Sequence, residues 1–469
     1  MTVCVEHLST LIMSMNMMSG FSCMVGNPPF LGGQKLTSHY GTSFRDFLVK
    51  VVAQKPGSID LCTYFLIQSF HRLSQDGRLG IVSTNTIAEG INSKLGLQSL
   101  IEGGARITNA NRNVAWGRGA NVVVHLISMS NQEKQVDCYL DGEHVDFINS
   151  TLEAGDENTK PPSKLSQNAG ICYQGSVILG DGFLLTKDEV KELVELNHEN
   201  SNFIKECVGG RDLSKNPDGK ASRHVIDVGH LTLNQLKQLP ALHQRILNTV
   251  KPERDTNKSK QRRENWWKFG AQAKTLYDAI SQLDEVIVVP ETSTHCKMRK
   301  VSASQIFMHS IKVFATSSDY FYGIILSNIH DMWVERYSAT LGKGRRYQPS
   351  NCFETFPFPE KGDSNDIEKA AIQLNDVREL YMLKHKLGMS EFYNKVNDKE
   401  NKEIEVEKLR ELISNLDLSV LSAYGWDDIP LEHGFHTDKG VTKWGIDTIS
   451  KKEILSRLLN LNHAIKDAE

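Results

Sequence analysis

The chain has 469 residues, about three times the common domain size of roughly 150, so its length implies more than one hydrophobic core. Charged residues make up 24% and hydrophobic residues 39%, which is the balance of a folded chain and excludes a disordered one. Fifty-four Lys and Arg against 57 Asp and Glu leave a net charge of -3, so a polyanionic partner has to be met by basic residues segregated within the chain.

The first 24 residues hold six of the twelve methionines (Met1, Met13, Met15, Met17, Met18, Met24) with neither a helical stripe nor strand alternation, and residues 1–20 read as an irregular leader. They lack the basic start and small-residue cleavage site of a signal peptide, and no stretch reaches the roughly 20 apolar residues of a membrane span. The eight cysteines (Cys4, Cys23, Cys62, Cys138, Cys172, Cys207, Cys296, Cys352) are scattered without a C-x-x-C pair, which points away from a zinc or disulfide framework. A cytoplasmic protein without bound metal is expected.

From Ser22 onward strands and helices alternate. Cys23-Met24-Val25-Gly26 reads as a strand stopped by Asn27-Pro28-Pro29-Phe30, because two prolines permit neither helix nor ladder. Apolar residues at Leu61, Phe65, Leu66, Phe70 and Leu73 predict a helix from Asp60 to Leu73, closed by Asp76-Gly77. A buried strand follows at Leu79–Ser83, a helix near Ser93–Ile101, a strand at Arg106–Thr108 and a Val-rich strand at Asn121–Ile127. The order predicts a mostly parallel α/β sheet with an antiparallel edge.

Asp141-Gly142 between Val136–Leu140 and His144–Ile148 is a hairpin signal, and Thr186-x-x-Glu189 caps a helix reaching Leu196. Between Lys251 and Lys268 lies a basic concentration (Lys251, Arg254, Lys258, Lys260, Arg262, Arg263, Lys268), followed by Lys297, Arg299 and Lys300, then Lys343, Arg345 and Arg346. Trp266, Trp267, Phe269, Trp333, Tyr337 and Tyr347 are interleaved with them, a composition able to contact phosphates and base edges, against the plain alternative of a solvated basic surface. Beyond Pro359 the chain becomes Lys/Glu-rich and helical.

Asn27-Pro28-Pro29-Phe30 carries a specific chemistry. Methylating the exocyclic amine of adenine requires a nitrogen whose lone pair is delocalised into the ring to become nucleophilic. An Asn side-chain oxygen and the next proline's carbonyl can accept its two N–H bonds, and the prolines hold that carbonyl rigidly. The aromatic that follows can stack on a flipped base, worth about 1–3 kcal/mol against a flipping cost of a few kcal/mol. A merely rigid loop is the competing reading of these four letters.

Beginning with Gly26-Asn27-Pro28-Pro29-Phe30 and Gly32-Gly33, the sequence resembles DNA adenine amino-methyltransferases of the single-chain restriction-modification type, type IIG or MmeI-like, with a fused target-recognition domain. Asp60-Leu61-x-x-Tyr64-Phe65 and Gly77-x-x-Gly80-Ile81-Val82-Ser83-Thr84-Asn85-Thr86 resemble the family's next helix and strand, and Asn113-Val114-Ala115-Trp116 its second base-stacking segment. Arg262-Arg263-x-x-Trp266-Trp267-x-Phe269 and Arg346-Tyr347 through Phe353-Glu354-Thr355-Phe356-Pro357 resemble the borders of the recognition domain.

The resemblance implies a partial class I, Rossmann-like methyltransferase sheet at 21–130, an α+β target-recognition domain at 131–360 and a helical region at 361–469. It implies S-adenosyl-L-methionine as methyl donor and double-stranded DNA as partner. Asn27, Pro28, Pro29 and Phe30 would be catalytic, Trp116 base-stacking and Phe65 cofactor-binding. Arg262, Arg263, Lys297, Arg299, Lys300, Lys343, Arg345 and Arg346 would bind DNA. The Gly-rich turn and acidic residue with which the family binds the cofactor upstream of the catalytic loop are absent, so a split or truncated enzyme needing an N-terminal methyltransferase polypeptide is expected. A catalytically inactive DNA-specificity module and an RNA or protein-amide methyltransferase are the alternatives.

Overall fold

The apolar run that ends at Asn27 is a strand, β1 (Phe21–Gly26), in a computed structural model that describes residues 20–54, 57–115, 123–131, 136–155, 161–341, 344–360, 365–438 and 441–469. The chain divides into two units, residues 1–161 and 162–469. In the first, β1 runs parallel to β2 (Leu73–Thr84), with Met24 opposite Leu79 and Gly26 opposite Ile81. Joining them is α1 (Leu61–Phe70), which buries Leu61, Cys62, Tyr64, Leu66, Ile67 and Phe70 and so is apolar nearly all round, as a helix enclosed by its neighbours must be.

Next in sequence come β3 (Arg106–Ala115) and β4 (Val123–Ser130), then β5 (Cys138–Leu140) and β6 (Glu143–Val145). The sheet order is β1-β2-β4-β3-β5-β6. β4 is antiparallel to both β2 and β3, so β1, β2, β3 and β5 share one direction and the first reversed strand lies inside the sheet, not at its edge. Asp141 and Gly142, at φ 53° and 90°, give the β5–β6 turn the left-handed pair that a two-residue hairpin requires. The Arg112 guanidinium grips the Asp141 carboxylate at 2.9 and 2.7 Å.

One sequence expectation fails here. The helix ends at Phe70, because Leu73 already pairs with Phe21, and Asp76-Gly77 lies in the register shift between that pair and Cys23–Arg78. The Asp-Gly signal marks a strand irregularity, not a helix stop. At the outer edge β1 is paired on one side only among the described residues, and Val25 is 83% exposed.

In the second unit, one four-stranded sheet combines β8 (Leu184–Leu185), β10 (Arg223–Ile226), β9 (Ile204–Val208) and β13 (Ile306–Phe307) in that order. The other combines β12 (Arg299–Ser302), β11 (Glu285–Pro290), β14 (Ile311–Phe314) and β7 (Cys172–Gln174). The capping box at Thr186 forms as read, with Glu189 answering the Thr186 backbone N–H at 2.8 Å. Ile287, Phe314, Trp333, Tyr347 and Phe356 share one core with Ile367, Leu374, Leu409, Leu416, Ile454 and Leu458. The last six belong to the long helices Asn365–His385, Ile404–Ala423 and Thr448–Ala468, so the helical region folds onto the α+β region as part of its core. A hairpin, His433–Asp438 with Val441–Ile446, interrupts the helices. No helix among the described residues is long and apolar enough to cross a membrane.

Candidate active site

The loop after β1 starts where a parallel strand ends, and β2 ends beside it, so both open onto the carboxyl edge of the sheet where open α/β sheets bind ligands. Pro28 is buried and Pro29 half-buried, which anchors the turn, while Asn27 is exposed and Phe30 is 38% exposed. Among the described residues none hydrogen-bonds the Asn27 side chain, and no backbone N–H donates to the Pro28 carbonyl. The Asn27 side chain and the Phe30 ring therefore stand exposed on a rigid loop, and the Pro28 carbonyl beside them has no backbone N–H partner among the described residues.

A network unread in the sequence holds this loop. The Gly33 N–H donates to Asp60 Oδ1 at 2.9 Å and the Thr86 hydroxyl donates to Asp60 Oδ2 at 2.7 Å. The Asp60 N–H donates to Asn92 Oδ1 at 2.7 Å, and the Thr63 hydroxyl to the same oxygen at 3.1 Å. The Leu61 N–H donates to the Leu31 carbonyl at 2.9 Å. Asp60 precedes the first residue of α1, where a carboxylate ordinarily caps the helix, yet it makes no capping bond. The start of the helix at Asp60 was visible in sequence; the use of its carboxylate on two other segments was not.

Phe65 is half-buried and packs with Leu31, Phe44, Phe47 and Leu95 against a cluster of Leu36, Leu48, Val52 and Tyr64. Trp116 lies outside the described residues, and so do residues 1–19 of the Met-rich leader. The segment leading to Trp116 is held at Asn113, a non-glycine at φ 54° whose N–H donates to His125 Nδ1 at 3.2 Å. His125 is 6% exposed; burial, and then the nearby Arg112, push its pKa down to about 4, so the ring is neutral and its Nδ1 free to accept.

The basic clusters fare differently. Arg299 is 3% exposed and donates to the Asn216 and Pro217 carbonyls while pairing with Glu379. Lys297, 8% exposed, lies 3.7 Å from Asp331 and over the Tyr393 ring. Lys300 pairs with Asp319 at 2.6 Å, and Arg345 with Asp331 at 3.0 Å and Glu335 at 3.2 Å. Burial alone would raise the Asp331 carboxyl, but Arg345 and Lys297 outweigh it and hold the group well below the usual carboxylate range.

Lys297 and Arg299 are therefore buried as internal counter-ions, and Lys300 and Arg345 are largely enclosed as well. Arg254 is also buried, donating to the Ile178, Leu179 and Lys268 carbonyls. Arg263 donates to the Asn257 and Lys258 carbonyls. Arg346 keeps a 48% exposed side chain while pairing with Glu291 at 2.8 Å. Arg262 is exposed with no partner among the described residues. Lys343 lies outside them. Of the interleaved aromatics, Trp266, Trp267, Phe269, Trp333 and Tyr347 are buried in the two large cores of this unit.

Comparison with known proteins places two modules along the chain. Residues 8–140 match the family model of the MmeI DNA-methyltransferase domain, and residues 158–360 that of the MmeI target recognition domain. DNA methyltransferase A of Bacillus subtilis (strain 168) is 24% identical over 376 residues, covering 76% of this chain and 41% of that protein. The structure of the type IIL restriction-modification enzyme MmeI in complex with DNA superposes with a TM-score of 0.74 at 20% identity, covering 95% of this chain and 57% of that one, a likeness of fold. The chain thus spans about two-fifths and somewhat over half the lengths of these two relatives. With a methyltransferase module followed by a target recognition module, both of the MmeI type, the chain belongs to the MmeI-like family.

Proposed function

We propose that this chain is the catalytic-loop and target-recognition portion of a restriction-modification DNA adenine-N6 methyltransferase using S-adenosyl-L-methionine. The observation that carries the reading is the pair of unpartnered acceptors, the Asn27 side-chain oxygen and the Pro28 carbonyl, on a loop pinned at Gly33. Accepting both N–H bonds of the adenine amine draws its lone pair out of the ring and turns it toward an incoming methyl group. Phe30, exposed beside these acceptors, stacks on the flipped base, with Trp116 assigned to its other face.

S-adenosyl-L-methionine supplies an electrophilic methyl group when bound. On this chain Phe65 is the candidate for contact with its adenine ring, and the partial exposure of that ring is compatible with the role. We assign the remaining cofactor contacts to an N-terminal methyltransferase polypeptide that covers the edge of β1 left unpaired among the described residues, where Val25 and Phe21 are exposed. Residues 158–360 are assigned to reading double-stranded DNA, with Arg262 and Arg346 as the phosphate contacts among the residues named from sequence.

Transfer of tritiated methyl from S-adenosyl-L-methionine to adenine in unmethylated phage DNA, with and without an N-terminal methyltransferase polypeptide, tests the reading. Adenine-specific transfer that Asn27→Ala abolishes is the expected outcome. Transfer indifferent to that substitution sinks the mechanism.

A further inference from the structure

Two prolines stiffen the Asn27–Phe30 loop internally, but they do not fix where the loop stands relative to the end of β2. We propose that Asp60 does so, as the positioning residue of the catalytic loop; this rests on the adenine-methyltransferase reading. One carboxylate oxygen accepts the Gly33 N–H behind the loop, and the other accepts the Thr86 hydroxyl just beyond β2. A single side chain thus ties together the two strand ends between which a flipped base enters.

The chain is built around this contact. A Cβ on Gly33 would lie 2.6 Å from the Ile59 carbonyl oxygen, so only glycine permits the close approach that brings its N–H to the Asp60 carboxylate. Asp60 is itself held by the bond from its N–H to Asn92, a side chain 9% exposed. By leaving the start of α1 without a side-chain cap, the carboxylate forgoes a local stabilisation of about 1 kcal/mol, which a purely structural role would have favoured.

The consequence is a separation of effects. Loss of the clamp lets the two acceptors drift from the amine without removing any group that touches DNA, so the chemical step suffers and affinity does not. A misplacement of about 1 Å can cost on the order of 100-fold in rate.

The test uses the full chain, with its N-terminal polypeptide where activity requires one, in single-turnover methyl transfer to unmethylated phage DNA alongside amide hydrogen exchange at Gly33. Asp60→Ala is expected to lower the rate at saturating DNA by about 10- to 100-fold, with the half-saturating DNA concentration changed by less than about threefold. Exchange at Gly33 should accelerate by at least about tenfold once its acceptor is gone. Asp60→Asn keeps an acceptor for Gly33 and should recover to within about tenfold of wild type, and Thr86→Val, which breaks one arm of the clamp, should lose about three- to tenfold.

If Asp60→Ala frees the Gly33 amide yet leaves the rate within about twofold, while Asn27→Ala abolishes transfer, positioning by Asp60 is wrong and the methyltransferase reading stands. Unaltered exchange at Gly33, or no recovery in Asp60→Asn, overturns the proposal equally. A wild-type protein that transfers no methyl group with the polypeptide present, or transfer indifferent to Asn27→Ala, overturns the reading and this proposal with it.

Discussion

The loop at residues 27–33 and the basic stretch between Lys251 and Arg346 both attracted a functional reading by residue type, and the structure treats them in opposite ways. In the loop, Asn27 and the Pro28 carbonyl keep their hydrogen-bonding capacity unused, and the surrounding groups spend theirs on holding the loop in place. In the basic stretch, Arg254, Lys297, Arg299, Lys300 and Arg345 are consumed by carbonyls and carboxylates of the same unit. A charged or polar side chain is available to a partner only when its neighbours leave it unsatisfied, because burying an unpaired charge costs several kcal/mol.

The largest expected contrast is at Asn27. Asn27→Ala should reduce methyl transfer by about 100-fold or more, the scale of removing one preorganised polar group from a reacting centre. Its thermal stability should stay within about 0.5 kcal/mol of wild type, since nothing in the fold leans on the side chain. Arg299→Ala should do the reverse. It strips donors from two carbonyls and removes one of the two buried arginines that meet Glu379, leaving Arg378 at 3.2 Å, so we expect a loss of about 3 kcal/mol in denaturant unfolding, with duplex affinity unchanged in the fraction still folded. Duplex affinity that falls with stability intact would return Arg299 to the DNA surface and break the comparison.

His125 offers a smaller test inside the methyltransferase unit. Its folded pKa, about 4, lies below the unfolded value of about 6.5. The unfolded chain therefore binds a proton through this window and the folded chain does not. Stability is full above about pH 6.5 and falls by roughly 1 kcal/mol per pH unit toward pH 4. Unfolding of wild type and His125→Gln at pH 7 and pH 5 should show a pH dependence that the variant loses in part. Equal slopes would mean that burial does not hold the His125 ring neutral in the folded chain.

What could be read in advance follows the range of the interactions involved. The stop of β1 at Asn27, the turn at Asp141-Gly142 and the Thr186 capping box rest on contacts within a few residues, and their letters specify them. The Asp60 clamp joins residues 27 and 26 positions apart in sequence, and Arg299 meets Glu379 across 80 positions. No local pattern encodes such pairs. Leu73 shows the same limit: its helical spacing from Phe70 was overruled by a strand partner at Phe21. Trp266 and Trp267 carry identical letters whether they stack on a base or fill a core, and only burial separates the two.

Among the cations named from sequence, Arg262 and Arg346 decide whether unused capacity is the right criterion for DNA contact. Arg262 is exposed and unpartnered among the described residues, so its full charge is available to a phosphate. Arg346 is about as open to solvent as a half-exposed surface residue, but the Glu291 carboxylate lies 2.8 Å away and competes for it. A contact that replaces condensed counterions lowers the salt slope of duplex binding by about 1, whereas a cation already neutralised by its own carboxylate releases fewer. Arg262→Ala should therefore reduce the slope by about one unit, and Arg346→Ala by clearly less, both with unaltered melting temperatures. Glu291 keeps Lys312 at 3.5 Å after Arg346 is removed, which protects the fold and makes the binding readout clean. If Arg346→Ala has the larger effect, DNA draws this arginine away from Glu291, and partner count in the free protein does not select the cations that meet the phosphates.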